Sequence, residues 1–407
     1  MNTRRLCLLT LCSIVLAAAD WPQWRGPNRD GVIPAALEPK AWPAQLNRKW
    51  KIQTGSGHSS PILAAGAIYL FSRRQGNETL EKIDPKLGKV FWTQQYPAPY
   101  RMNPAAQSHG EGPKSTPLFH QGRIYTFGIS GILSSWDAAS GALKWRKEFS
   151  KEYKETSPLF GTAMSPVIDR GLLIAYIGGN DDGALTAFDA GTGDVRWQWK
   201  GDGPAYASPI VVEAAGTRQV VTQSQSNIVG VSALDGKLLW KIPFKTPYVQ
   251  NIVTPLVYKD TLIFSGLSND TMAVRVVKKD GAFSPDVIWR NRTVSMYMNS
   301  PVLFGDMVFG FSQHSKGQIF CLDARTGENH WLGEPRQGDN AATLIGAKSL
   351  LTLKDDGELI VSRVSDKAFE EIRRYKVADS ATWAHPLPVP GGLVIKDVST
   401  LAFWSWE

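Results

Sequence analysis

Five short stretches gather most of the side chains in this sequence that could do chemistry. They are Gly57-His58-Ser59-Ser60, Ser108-His109-Gly110-Glu111-Gly112-Pro113-Lys114, Gln250-Asn251, Tyr297-Met298-Asn299 and Trp383-Ala384-His385. Imidazoles at His58, His109 and His385 offer general acid–base groups or metal ligands, and Glu111 offers a carboxylate. Together with Lys114, Asn251 and Asn299 they could bind an anion, a sugar or a metal, and Ser59 and Trp383 stand in the same stretches as further candidates. His58, His109 and Glu111 form the best trio for metal or acid–base work. No two histidines share a strand or helix at a metal-binding separation, so no metal is expected. A plainer reading stands beside the functional one: these groups satisfy one another and ordered water around a polar channel. The catalytic residues stay unassigned.

What must position these stretches is a repeat. Each stretch lies at or just before a small polar residue followed by proline, which opens an apolar run. Ser60-Pro61, Thr116-Pro117, Ser165-Pro166, Ser208-Pro209, Thr254-Pro255 and Ser300-Pro301 recur at intervals of about 43 to 56 residues. His385-Pro386 takes the same place late in the chain. A second signal follows each: Asp, Gly four residues on, and Trp four beyond that. It reads Asp84-Gly88-Trp92, Asp137-Gly141-Trp145, Asp189-Gly193-Trp197 and Asp323-Gly327-Trp331, with partial copies Asp235-Gly236-Trp240 and Asp280-Gly281-Trp289. Between the signals, alternating runs such as Gly122 to Gly128 and Leu133 to Asp137 read as strands punctuated by turn residues. The spacing is that of a four-stranded propeller blade.

Eight blades result, an all-β architecture. The seventh, Ala341 to Tyr375, lacks the proline and carries Tyr375 in place of Trp. The eighth starts at His385 and runs out after three strands. Its missing outer strand is expected from Asn47 to Ile52, which holds the orphan Trp50, so the ring closes between the two ends of the sequence. Trp50, Trp92, Trp145, Trp197, Trp240, Trp289 and Trp331 are read as structural. Each would remove on the order of 200 Å² from water against the neighbouring blade.

Composition sets the outer bounds. The 407 residues hold 15 Trp and 37 Gly and carry a formal charge of +8. Arg4 and Arg5, the apolar run Leu6 to Leu16 and Ala17-Ala18-Ala19 read as a signal peptide cut before Asp20. Its loss leaves Cys321 as the only cysteine, in a strand pattern, so no intramolecular disulfide is available. Residues 20–45 are then a lead-in and 46–407 one propeller domain. The protein is expected in the periplasm or outside the cell, as a monomer and with no transmembrane span. Basic residues are scattered, so nucleic acid is not an expected partner. Gly178 to Gly183 lacks the closing Glu of a calcium loop. The ring serines lack a Gly-x-Ser-x-Gly elbow.

The motif Asp-Ala-x-Thr/Ser-Gly-x-x-x-Trp at 137, 189 and 323 resembles the repeat of the PQQ-type quinoprotein propellers. The opening Asp20-Trp21-Pro22-Gln23-Trp24-Arg25-Gly26-Pro27 and the stretch Gly112-Pro113-Lys114-Ser115-Thr116-Pro117 are similar to those of exported bacterial PQQ-like repeat proteins. The resemblance implies an eight-bladed propeller. Its enzyme members are alcohol dehydrogenases with PQQ and Ca²⁺ in the funnel and a vicinal Cys-Cys disulfide. Another member is a non-catalytic outer-membrane protein assembly factor. This sequence has no vicinal cysteines and short loops, so no cofactor is expected and a binding or scaffold role in the cell envelope leads, with a protein or small molecule of unassigned identity as partner. The alternative is a quinoprotein-like oxidoreductase or other small-molecule enzyme working at the channel mouth.

Overall fold

The computed structural model describes residues 20–407; the leader reading, residues 1–19, lies outside them. Among the described residues thirty-two strands form eight four-stranded antiparallel sheets. In blades one to seven the chain runs from the innermost strand outwards. Blade two, for example, runs Leu118–His120, Arg123–Phe127, Leu133–Asp137 and Leu143–Lys147. Blade eight takes Leu387–Val389, Gly392–Lys396 and Thr400–Ser405 from the end of the chain and Asn47–Gln53 from its beginning. Trp50 pairs with Phe403 in that ladder. The expected closure is present: a strand that precedes blade one completes blade eight, leaving only the short outer edge that each blade carries. No described helix is long and apolar enough to cross a membrane.

The second sequence signal acts between blades. Asp137 Oδ1 accepts the backbone N–H groups of Ala139 and Ser140, and the Gly141 N–H closes onto the Asp137 carbonyl at 2.8 Å. Gly141 then sits at φ 76°, where a Cβ would lie 3.0 Å from the Trp92 ring of the previous blade. The glycine is required twice, for the left-handed backbone and for the close approach. The Trp92 indole N–H donates to the Ala139 carbonyl at 3.0 Å. Trp50, Trp145, Trp197 and Trp289 reach the next blade in the same way, at Gly88, Gly193, Gly236 and Gly327. Trp331 donates to the Ser365 carbonyl of blade seven.

Two details depart from the sequence reading. In blade four the turn begins at Ser232, not Asp235: the Ser232 hydroxyl accepts from the Leu234 and Asp235 N–H groups, and the Gly236 N–H bonds the Ser232 carbonyl. Ser232-Gly236-Trp240 therefore keeps the spacing. In blade five, Asp280-Gly281 lies at the tip of a long hairpin, Asn269–Lys279 with Ala282–Asn291, and nothing stands within 4 Å of a Cβ there. Trp240 has no turn to dock on. It donates instead to Gln219 Oε1 of its own blade at 2.6 Å, over Gly230.

The Ser/Thr-Pro signal ties the inner strands together. Four inter-blade bonds of 2.9 to 3.0 Å run from a backbone N–H to the next hydroxyl: Thr116 to Ser165, Ser165 to Ser208, Thr254 to Ser300, and His385 to Ser60. In blade seven, which lacks the motif, the Thr343 hydroxyl donates to the Ser300 carbonyl at 2.9 Å. These hydroxyls are buried and occupied by structure.

The lead-in stoppers the channel. Trp21 pairs with Leu63 of blade one and Val32 with Ile345 of blade seven. Between them, Arg29 donates to the Ser165 and Pro166 carbonyls at 2.9 and 3.0 Å, and Arg25 to the carbonyls of Asp30 and Pro301. Both guanidinium groups are fully buried, which holds Arg25 down at about 10 and Arg29 at about 9. Further along, the Tyr375 hydroxyl donates to the Pro43 carbonyl. Blade eight has no third turn, because its outer strand comes from the other end of the chain, and the lead-in supplies the acceptor.

Candidate functional site

The loops before the inner strands converge at one mouth, where a cavity of about 180 Å³ opens. Two loops cross at its edge. The His58 and Ser59 N–H groups both donate to the Pro113 carbonyl at 2.9 Å. The crossing is possible because Gly112 and Gly57 touch: a Cβ on Gly112 would lie 2.4 Å from the Gly57 Cα. The turn Pro104–His109, capped by the Asn103 side chain on the Ala105 N–H, brings Ala105, Ala106 and His109 over the cavity. Trp24 of the lead-in forms the floor, with its indole N–H on the Thr254 hydroxyl at 2.9 Å. Phe160, Tyr206, Tyr297, Met298 and Trp383 complete the walls.

Of the nine residues expected at the mouth, His58, His109, Lys114 and Trp383 line the cavity. His58 donates its Nε2–H to the His109 carbonyl at 3.0 Å. Its ring centroid stands 6.1 Å from that of His109, and His109 packs edge-on to Trp383 at 4.6 Å. Burial, then the Lys114 charge, push both imidazoles down, His58 to about 3. Both are therefore neutral at neutral pH. Burial alone lowers Lys114 to about 8.

The other five point elsewhere. Glu111 turns away from the imidazoles, accepts the Met102 N–H at 3.2 Å and faces Arg73 at 4.0 Å, half-exposed. The trio His58, His109 and Glu111 therefore does not assemble. Asn251 donates to the Ser224 and Phe244 carbonyls, while its own backbone carbonyl receives the Tyr206 and Ala207 N–H groups at 3.0 Å, so it holds the wall without facing the cavity. Asn299 donates to the Phe311 carbonyl at 2.7 Å. Ser59 is buried. His385 lies beneath the floor, edge-on to Trp24 at 4.4 Å, and burial holds it down at about 3.

Sequence reading missed Trp24, Phe160 and Tyr206 and chose the wrong neighbours at two loops. Gln250 and Tyr297 face the cavity where Asn251 and Asn299 serve the backbone. In the first loop alternation on extended backbone separates Gln250 from Asn251 without saying which faces inward; in the second, Tyr297 and Asn299 stand two apart and alternation does not separate them at all. For Trp24 there was no local signal, because its place depends on a segment crossing the ring.

The fold raises PQQ and Ca²⁺ as groups to test against these residues. Calcium takes six to eight oxygen ligands with carboxylates among them, and no Asp or Glu lines the cavity. Among the described residues no group of three or more His, Cys, Asp and Glu could hold a metal. PQQ is a planar tricarboxylate, and the cavity wall offers one cation, Lys114. The residues do not fit this pair.

Fold and repeat define a PQQ-like β-propeller. Over residues 76–332 the chain matches the family described as outer membrane protein assembly factor BamB, and it belongs to that family. The assembly factor BamB of Shewanella oneidensis is 26% identical over 257 residues, 61% of this chain and 62% of that protein. The chain thus spans less than two thirds of the curated relative it matches. The crystal structure of BamB from Moraxella catarrhalis superposes with a TM-score of 0.62 at 15% identity, over 88% of this chain and 99% of that one. Quinohemoprotein alcohol dehydrogenase ADHIIG from Pseudomonas putida HK5 superposes with a TM-score of 0.68 at 14% identity, over 95% and 80%. At those identities the likeness is one of fold.

Proposed function

We propose that this protein is an exported, non-catalytic binding propeller of the cell envelope that holds a protein partner against its mouth face. The observation that carries the proposal is the stoppered channel. Trp21 to Val32 crosses the ring and blocks passage through it; beside it on the far side a recess of about 560 Å³ is lined by the lead-in and the inner strands, whereas the mouth gathers the aromatic rings on which a partner can pack. The wall supports binding over acid–base chemistry: its rings are aromatic, its imidazoles are held neutral, and Glu111 is engaged outside. Family membership and the assembly-factor relative agree with an envelope role.

Site-specific photo-cross-linking in the native host tests this. Probes at Leu159 and Tyr248, exposed on mouth-side loops, should give one discrete cross-linked species in the envelope fraction. Probes at Leu87 and Leu234, on the turns of the opposite rim, should give none. Equal cross-linking from both rims, or none from the mouth, overturns the proposal. So does a protein that fractionates with the cytoplasm.

A further inference from the structure

The mouth cavity is walled by rings and carries one charge. Trp24 lies below, and Phe160, Tyr206, Tyr297 and Trp383 stand around it. Lys114 reaches the wall with its Nζ on the Phe160 carbonyl at 2.9 Å. An ammonium has three donors, and among the described residues no acidic side chain pairs with this one. Such a cation, mostly removed from water, is unmatched until an anion meets it. Neither imidazole competes for that anion, since both are neutral. An apolar cavity of about 150 Å³ is large enough for benzene. The 180 Å³ here accommodates one ring and one small substituent.

Resting on the reading of the mouth as a recognition surface, we infer that this cavity binds a molecule presenting one aromatic ring and one carboxylate, the ring among the aromatic walls and the carboxylate on Lys114. A second anionic group would find no second cation in the wall, and a cationic ring would be repelled by Lys114. The same chemistry is offered by a free aromatic acid and by a peptide chain ending in an aromatic residue.

Titration calorimetry on the purified protein at pH 7 distinguishes the outcomes. Phenylacetate represents the free acid and N-acetylphenylalanine the chain end; phenylacetamide and phenethylamine are the uncharged and cationic controls. At least one acid should bind saturably, about tenfold or more tighter than phenylacetamide, as a charge-assisted bond requires. Phenethylamine should not bind. Lys114→Gln should bring the acid down to the amide's affinity, and Trp383→Ala should weaken acid and amide together. Saturation by N-acetylphenylalanine alone assigns the ligand to a chain end, and by phenylacetate to a free acid. No saturation by either acid up to about 10 mM overturns the inference, as does equal affinity for acid and amide, a comparison that needs no variant. Loss of ligand binding with mouth-specific cross-links retained overturns this inference alone. Ligand binding without those cross-links overturns the partner reading alone.

Discussion

Burial in the same wall moves Lys114 and is the leading cause for His58, and the consequence differs for each. Lys114 carries its charge below about 8 and loses it above. The other titratable groups lining the cavity are His58, His109, Tyr206 and Tyr297, all uncharged near that pH. Affinity for an aromatic carboxylate is therefore expected to hold from pH 6 to 7 and fall progressively above about pH 8, as calorimetry across that range would read. His58 and His385 concern stability. Both fold as neutral imidazoles held near 3, against 6.5 when exposed. Below about pH 6.5 the unfolded chain takes up protons that the folded chain refuses, so stability falls as pH drops towards 3. Each histidine can add up to about 1.4 kcal/mol per pH unit to that slope. Denaturant titrations from pH 7 to 4 should show the fall, and His385→Gln should flatten it whatever its effect at pH 7.

At the scale of the element, the turn between third and outer strands is where one blade grips the next. Gly141 and Gly122 separate the two demands on such a glycine. Both sit near φ 75°, but a Cβ meets Trp92 at 3.0 Å in the first and nothing within 4 Å in the second. Gly122→Ala should lose about 1 kcal/mol from backbone strain. Gly141→Ala should lose that and about 1–3 kcal/mol more from overpacking. Equal losses in urea titrations would show that the seam yields to the extra methyl. The Asp-Gly-Trp signal was legible because each residue acts locally: Asp folds an Asx turn, Gly takes the left-handed backbone and Trp supplies the ring. At Ser232 a hydroxyl does the work of Asp, and Asp235 has the expected residue type three positions too late. At Asp280-Gly281 the same two residues make a hairpin tip, since a turn's identity depends on which strands flank it.

For the whole molecule, the seam between blades eight and one joins the two ends of the chain. Trp50 lies over Gly88 and donates to the Pro85 carbonyl at 3.1 Å, as the other docking tryptophans do at interior seams. Trp50→Ala and Trp145→Ala should then destabilise alike, by about 3–5 kcal/mol. Both should keep a single unfolding transition, because a ring opened at any seam loses support on both sides. A far larger loss for Trp50→Ala, or two transitions, would mark the closing seam as different in kind.

Much about the ring was determined by the sequence alone. Blade number, the lost motif in blade seven and the strand borrowed from Asn47 to Ile52 all follow from short-range patterns repeated at similar spacing. Four of the nine mouth residues followed as well, because a position just before an inner strand must lie near the axis. Only the tertiary structure decided which neighbour faces inward, Gln250 and Tyr297 in place of Asn251 and Asn299. It also decided that Glu111 leaves the imidazoles for the Met102 backbone. The lead-in's role belongs there too. Trp24 becomes the floor and Arg25 and Arg29 stopper the channel through carbonyls of distant blades, and contacts at such separation leave no period in the sequence to read.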